Sequence, residues 1–305
     1  MGSWRHGVES FARRARKRAL YALPSGALLA QSALSGLFVG SLYGLIGLGL
    51  GLSWGLLRTI NLAHFGFVFG GAYVAYQLNA STGIDPLFTL VVIVPLFFAA
   101  GVALHAVITR FEVSPLNTLL VTFGLTAIIE ATIQAIWSAD FRRLEWAYGH
   151  VKFKVGELFV PLPELITLAM ALAATFALWG VLRGTDVGKA MRAAAQDAPI
   201  AAAFGVNQKR LSLLLAGTCA ALAGVAGVCL SLSFTLAPAQ IYAWVGVVFA
   251  AVMMGGLGSP VGPLVAGIVI GVSEALTMAV TAPSWAPIVS FTLLIVLLLV
   301  RPGKV

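Results

Sequence analysis

Charge is scarce in this chain. Of its 305 residues, 10% are Asp, Glu, Lys or Arg, against roughly 25% in an ordinary soluble domain. A water-exposed globule of this length is excluded. Cysteine is rarer still. Cys219 and Cys229 are the only two, and along a straight helix they stand ~15 Å apart, too far to bridge each other. They read as small packing residues. No Gly-x-x-x-x-Gly-Lys-Ser/Thr loop occurs, so any ATP that drives this protein must be held by another polypeptide. The histidines, His6, His64, His105 and His150, lack metal-ligand spacing. No Ser, His and Asp arrangement reads as a nucleophilic site, so no catalytic residue and no metal site are assigned. The period-two alternation of a membrane β-barrel is also missing.

What is present is apolar length. The chain is 60% hydrophobic, and runs of about 20 apolar residues recur, which is the signature of membrane-crossing helices. The net charge of +8 could suggest nucleic acid. The basic residues instead sit in loops and at the N-terminus, as the positive-inside rule requires, so no nucleic-acid partner is expected. Residues 1–24 carry Arg5, Arg13, Arg14, Arg16, Lys17 and Arg18 with Trp4, Phe11, Leu20 and Tyr21. They read as a basic cytoplasmic N-terminal segment, either a helix on anionic lipid or an unstructured tail. Residues 25–305 form the membrane domain.

Along that domain, Ala27–Leu57 is uncharged and would extend ~46 Å as a helix. Its glycines step by four, Gly36, Gly40, Gly44 and then Gly47, Gly51, Gly55, which suits close helix packing. Arg58-Thr-Ile-Asn-Leu-Ala-His64 interrupts the run, and Phe65–Leu78 is short, about half a span. A polar break before a half-length helix is the pattern of a re-entrant or discontinuous segment, tolerated only when buried in protein or lining a cavity. Asn61 and His64 are therefore candidates for a translocation path, or else partners for broken backbone hydrogen bonds. Glu130 and Glu274 lie within apolar spans, where an acid is costly and faces the bundle interior or water; both join the candidate path. Residues around Lys152–Val160 suit a small hairpin. Gly255–Pro263 reads as a sharp turn. The Gly-rich helix, break and short helix near Asn61 are loosely echoed by Ala220–Leu257, as two related halves would be.

The stretch Arg183–Arg210 is different. It is polar and Ala-rich, suited to one or two short helices outside the membrane, broken near Pro199 and stopped at Gly205. It is either a docking element for a soluble protein or an ordinary basic loop. Placing the N-terminus, Arg110, residues 183–210 and Arg301 on one side requires an even number of crossings before Arg110. The expected fold is all-α, a polytopic helical membrane protein of about eight transmembrane helices plus a re-entrant or broken segment.

Gly188-Lys-Ala-Met-Arg-Ala-Ala-Ala-Gln-Asp197 and Ala201-Ala-Ala-Phe-Gly-Val-Asn207 resemble the cytoplasmic coupling loop of ABC importer permeases. The best match is the branched-chain (hydrophobic) amino-acid uptake family. Gly51-Leu-Ser-Trp-Gly-Leu-Leu-Arg-Thr-Ile-Asn-Leu-Ala-His64 is similar to that family's first-half signature, and Ala251-Val-Met-Met-Gly-Gly-Leu-Gly-Ser-Pro-Val-Gly262 to its second-half Gly-rich turn. Where the family loop carries Glu-Ala-Ala, this chain has Pro199-Ile200-Ala201, which counts against an acidic contact at that point.

The resemblance implies a permease subunit in the inner (plasma) membrane with both termini cytoplasmic. It would bind no cofactor itself. Its partners would be two cytoplasmic ATPase subunits that hold ATP, a second permease subunit, identical or different, and a periplasmic solute-binding protein. Lys189, Arg192, Gln196, Asp197, Phe204 and Gly205 would contact the ATPase. The implied substrate is a branched-chain or other hydrophobic amino acid. Urea, amides and small carboxylates are rivals, as is an ion-coupled secondary transporter using Glu130 or Glu274.

Overall fold

The computed structural model describes residues 25–111 and 113–300; the basic N-terminal segment lies outside them. Helices dominate. In order they are α1 (Gly26–Leu57), α2 (Ala63–Thr82), α3 (Leu90–Arg110), α4 (Pro115–Trp137), α5 (Leu162–Gly184), α6 (Asp186–Gln196), α7 (Ala198–Ala203), α8 (Gln208–Ser233), α9 (Ala243–Gly255), α10 (Gly262–Val280) and α11 (Ala286–Val300). An antiparallel hairpin, β1 (Lys152–Val155) and β2 (Leu158–Pro161), separates α4 from α5. Among the described residues, eight helical stretches are long and apolar enough to cross a membrane, so the chain is a multi-pass helical membrane protein.

Helix α1 is the axis. It is buried from Gly36 to Ser53 on most of its surface. Its first glycine row meets α10 antiparallel. A methyl at Gly36 would stand 2.5 Å from the Gly271 carbonyl oxygen, and one at Gly267 would stand 2.6 Å from that of Gly40. Small residues on both helices let the two backbones touch, which is how helices associate where lipid removes the hydrophobic drive between them. The second row receives Val252 of α9 and Pro263 at Gly47 and Gly51. Helix α8 packs the same way on α2, with Gly71 against Gly224 and Gly227 against Val68.

The chain turns at Arg58, a non-glycine residue in the left-handed region at φ 56°. It then climbs back into the bundle before α2 starts. His64, in the first turn of α2, lies level with Ile46 of α1 and bonds its carbonyl. Segment 58–62 and α2 therefore traverse the bundle together. Sequence suggested a helix of about half a span after the break; α2 has 20 residues. Polar residues such as Gln77 and Asn79 hid its length, and the surrounding helices spare it from contact with lipid, since Ala63–Phe69 are buried.

Among the described residues three crossings thus precede Arg110, where charge placement suggested an even number. Two hydrogen bonds fix this. Gln31, near the start of α1, is bonded in both directions to the backbone of Phe159 in the hairpin, at 3.0 and 2.9 Å. Arg58, just past its other end, donates to the Ala195 carbonyl of α6 at 2.9 Å. Residue 25 therefore sits at the hairpin end of the bundle, opposite α6 and α7. The C-terminal half of α11 runs toward the α6–α7 end, parallel to α9, as the packing of Phe291 on Gly246 and of Leu294 near Ala250 requires. The first and last described residues lie at opposite ends.

Two outcomes check this arrangement. Single cysteines replacing Ser25 and Asn207 should react with an impermeant maleimide from opposite sides of sealed vesicles. Gly40→Leu should lower thermal stability by about 1–3 kcal/mol or more through overpacking, read as reduced yield and melting temperature in detergent, whereas Gly124→Leu on an open face should not.

Candidate functional site

Helices α6 and α7 project from one end of the bundle as a two-faced platform. Thr185 caps α6 by accepting from the Gly188 amide at 3.1 Å, and Asp197 caps α7 by accepting from the Ile200 amide at 3.0 Å. Such caps satisfy amides that have no helical partner. The break falls at Asp197, two residues before Pro199, whose ring fits the first turn of α7. Gly205 ends the platform at φ 88°, a conformation glycine adopts without steric cost, and Asn207 caps α8.

The inner face of α6 is Gly188, Met191 and Ala195, spaced three and four apart. Gly188 lies directly on the Val181 and Leu182 backbone of α5, with no room for a side chain. Met191 is buried among Leu48, Leu52, Leu178, Leu182 and Leu215. Ala195 holds Arg58. The side chain of Gln208 bonds the Ala198 carbonyl, tying α8 to α7. The opposite face carries Lys189, Arg192 and Gln196, all exposed, with Lys189 paired to Asp186 at 2.9 Å. At the tip, Phe204 is 86% exposed and Ile200 56%. A helix clamped to the bundle on one side, with free polar groups and two bare apolar side chains on the other, is built for contact with a further surface.

Beside the platform is a vestibule of about 940 Å³, walled by the ends of α1, α3 and α6 and the starts of α4 and α8. A chamber of about 20 Å³ lies further in and shares Leu57, Thr59, His105, Ile108 and Thr118 with it. Asn61 lines the chamber. Its Oδ1 and the Nε2 of His105 are buried without a hydrogen-bond partner among the described residues.

The four path candidates do not converge. Asn61 reaches the chamber. His64 is 2% exposed and donates Nε2–H to the Ile46 carbonyl at 2.9 Å, pinning α2 to the middle of α1 rather than mending the break. The break is mended by others: Thr122 accepts from the Leu62 amide at 3.1 Å, and Ser53 reaches the Thr59 carbonyl. Glu130 sits partly exposed on α4, bonded to Gln134. Glu274 is buried in a different place, accepting from Tyr43 at 3.1 Å and Ser290 at 2.5 Å, so that one carboxyl joins α1, α10 and α11.

Residues 32–298 match the family model described as the branched-chain amino acid transport system permease component. The chain belongs to that family. It is 28% identical to the high-affinity branched-chain amino acid transport system permease protein LivH of Escherichia coli (strain K12), over 89% of this chain and 93% of that protein. To the corresponding BraD permease of Pseudomonas aeruginosa it is 26% identical over 89% and 94%. To a probable branched-chain amino acid transport permease protein LivH of Methanocaldococcus jannaschii it is 27% identical over 85% and 86%. No solved structure matches.

Sequence reasoning missed three residues of this branched-chain permease family member that matter at the site. His105 is an ionisable residue within a span, which alone should have marked it. Gly188 read as a helix residue and is a contact point. Arg58 read as an interruption and is a strut. If Glu274 is a clasp rather than a path residue, Glu274→Ala should cost about 1–2 kcal/mol through its two lost partners, and Glu274→Gln should keep transport per folded molecule near wild type. Reconstituted uptake normalised to folded protein reads this; a loss of more than about tenfold in the Gln variant would return Glu274 to the path.

Proposed function

We propose that this chain is the permease subunit of an ATP-driven importer of branched-chain or other hydrophobic amino acids. The α6–α7 end faces the cytoplasm, where the exposed row of Lys189, Arg192 and Gln196 with Ile200 and Phe204 seats in an ATPase subunit. The hairpin end faces the outside, where a solute-binding protein delivers the substrate to a pair of permease chains. No nucleotide is held by this chain.

The observation that carries the reading is the division of α6 into a face locked to α5 and α1 and a face left bare. A coupling element must bias a two-state membrane domain from outside. That requires firm attachment on one side and a docking surface on the other, and Gly188 and Phe204 are the respective markers. The substrate class rests on what the relatives are named to transport.

Co-purification with an ATPase, then uptake of leucine or valine into vesicles with and without ATP, tests the reading. Phe204→Asp should weaken ATPase co-purification and lower ATP-driven uptake by about tenfold or more, as loss of an exposed anchor does, with the folded yield unchanged. Gly188→Val should let the ATPase bind but uncouple it, so that hydrolysis continues while uptake falls. Uptake that ignores ATP and collapses with the proton gradient would instead place the protein among ion-coupled transporters.

A further inference from the structure

The vestibule has a character that amino-acid transport does not explain. Its described lining includes Arg58, Arg110, Lys209 and His105 and no carboxylate; Glu112, between α3 and α4, is outside the described residues. Arg58 is held in place by the Ala195 carbonyl, so one cation is positioned rather than free to swing. Close in sequence to that lining stand bare apolar side chains: Val107 is 53% exposed, Phe111 71% and Leu116 69%. They lie on α3, just past its end and on α4, two spans exposed over most of their surface. Basic side chains at the end of the bundle thus stand near an apolar outer surface. A volume of about 940 Å³ exceeds what a single amino acid needs.

We infer that this vestibule binds the phosphate headgroup of an anionic phospholipid, with Arg58, Arg110 and Lys209 around the phosphate and the acyl chains along Val107, Phe111 and Leu116. Basic pockets between spans at the cytoplasmic boundary recognise such headgroups. A guanidinium engages phosphate through paired N–H donors, and a lysine adds a point charge. The apolar surface separates a lipid from a free phosphate, which would gain nothing from it. The lipid would wedge between the platform and α3, bracing α6 from the membrane side. The inference does not depend on which solute is transported.

The test uses the full chain purified in detergent and measures bound lipid by native mass spectrometry as phosphatidylglycerol, phosphatidylcholine or inorganic phosphate is added. Phosphatidylglycerol should bind in preference to phosphatidylcholine. R110Q/K209Q should weaken it by about thirtyfold, the loss expected for two cations near a headgroup, while K152Q/K154Q in the hairpin leaves it unchanged. Phe111→Ser should weaken lipid binding without affecting phosphate. Equal retention by wild type and R110Q/K209Q, both folded by circular dichroism, would overturn the site. Competition by millimolar inorganic phosphate with no effect of Phe111→Ser would show a free-anion site instead and overturn the lipid assignment.

Discussion

Helix α1 is met by backbone on several sides rather than by side chains. The α10 backbone reaches it at Gly36 and Gly40, the Cys219 carbonyl and the His64 ring press on Gly49, and the Gly258 turn closes on Gly55. In lipid, apolar side chains gain little by leaving one apolar medium for another. Contact distance and satisfied polar groups must then hold the bundle. Glycine supplies the first, and buried bonds such as His64 to Ile46 and Glu274 to Tyr43 and Ser290 supply the second. Removing the side chains from α1 is what allows α2, α8, α9 and α10 to share one axis.

The same constraint shapes the two interruptions. Segment 58–62 enters from the α6–α7 end, and residues 234–242 enter from the hairpin end, where Leu236 exchanges backbone bonds with Arg142. Non-helical backbone at such depth survives only inside protein. The first is capped by Thr122 and Ser53 and lines the vestibule, and the second is buried at Leu236, Ala237 and Pro238. Because α1 and α8 run in opposite directions, the echo between the halves is inverted, a layout that places related breaks on either side of the midplane.

Composition and apolar run length made the helical membrane class legible, and the glycine steps on α1 marked its packing face. The α6–α7 platform was legible as well, because Pro199 and Gly205 are local signals. Topology was less so. Charge placement suggested an even count before Arg110, but α2 escapes the usual hydropathy requirement by being shielded, so its polar residues read as an incomplete crossing. The site was readable only in part. Asn61 announced itself as a polar residue in a break. The vestibule is assembled from Arg58, His105, Arg110 and Lys209, which are far apart in sequence and come together only through packing. Asn61, His64, Glu130 and Glu274 share a chemical oddity, a polar group in an apolar run, and the fold sets them in four separate places.

The missing side chain at Gly188 has a mechanical corollary. At Gly188, α6 sits on bare α5 backbone, so at that point no side chain stands between them to absorb a displacement. Thrust on its outer surface would meet α5 directly there, and would reach the foot of α1 through the Arg58 bond to Ala195. The joint behaves as a rigid crank, and slack must be sought further along, at the interrupted crossings.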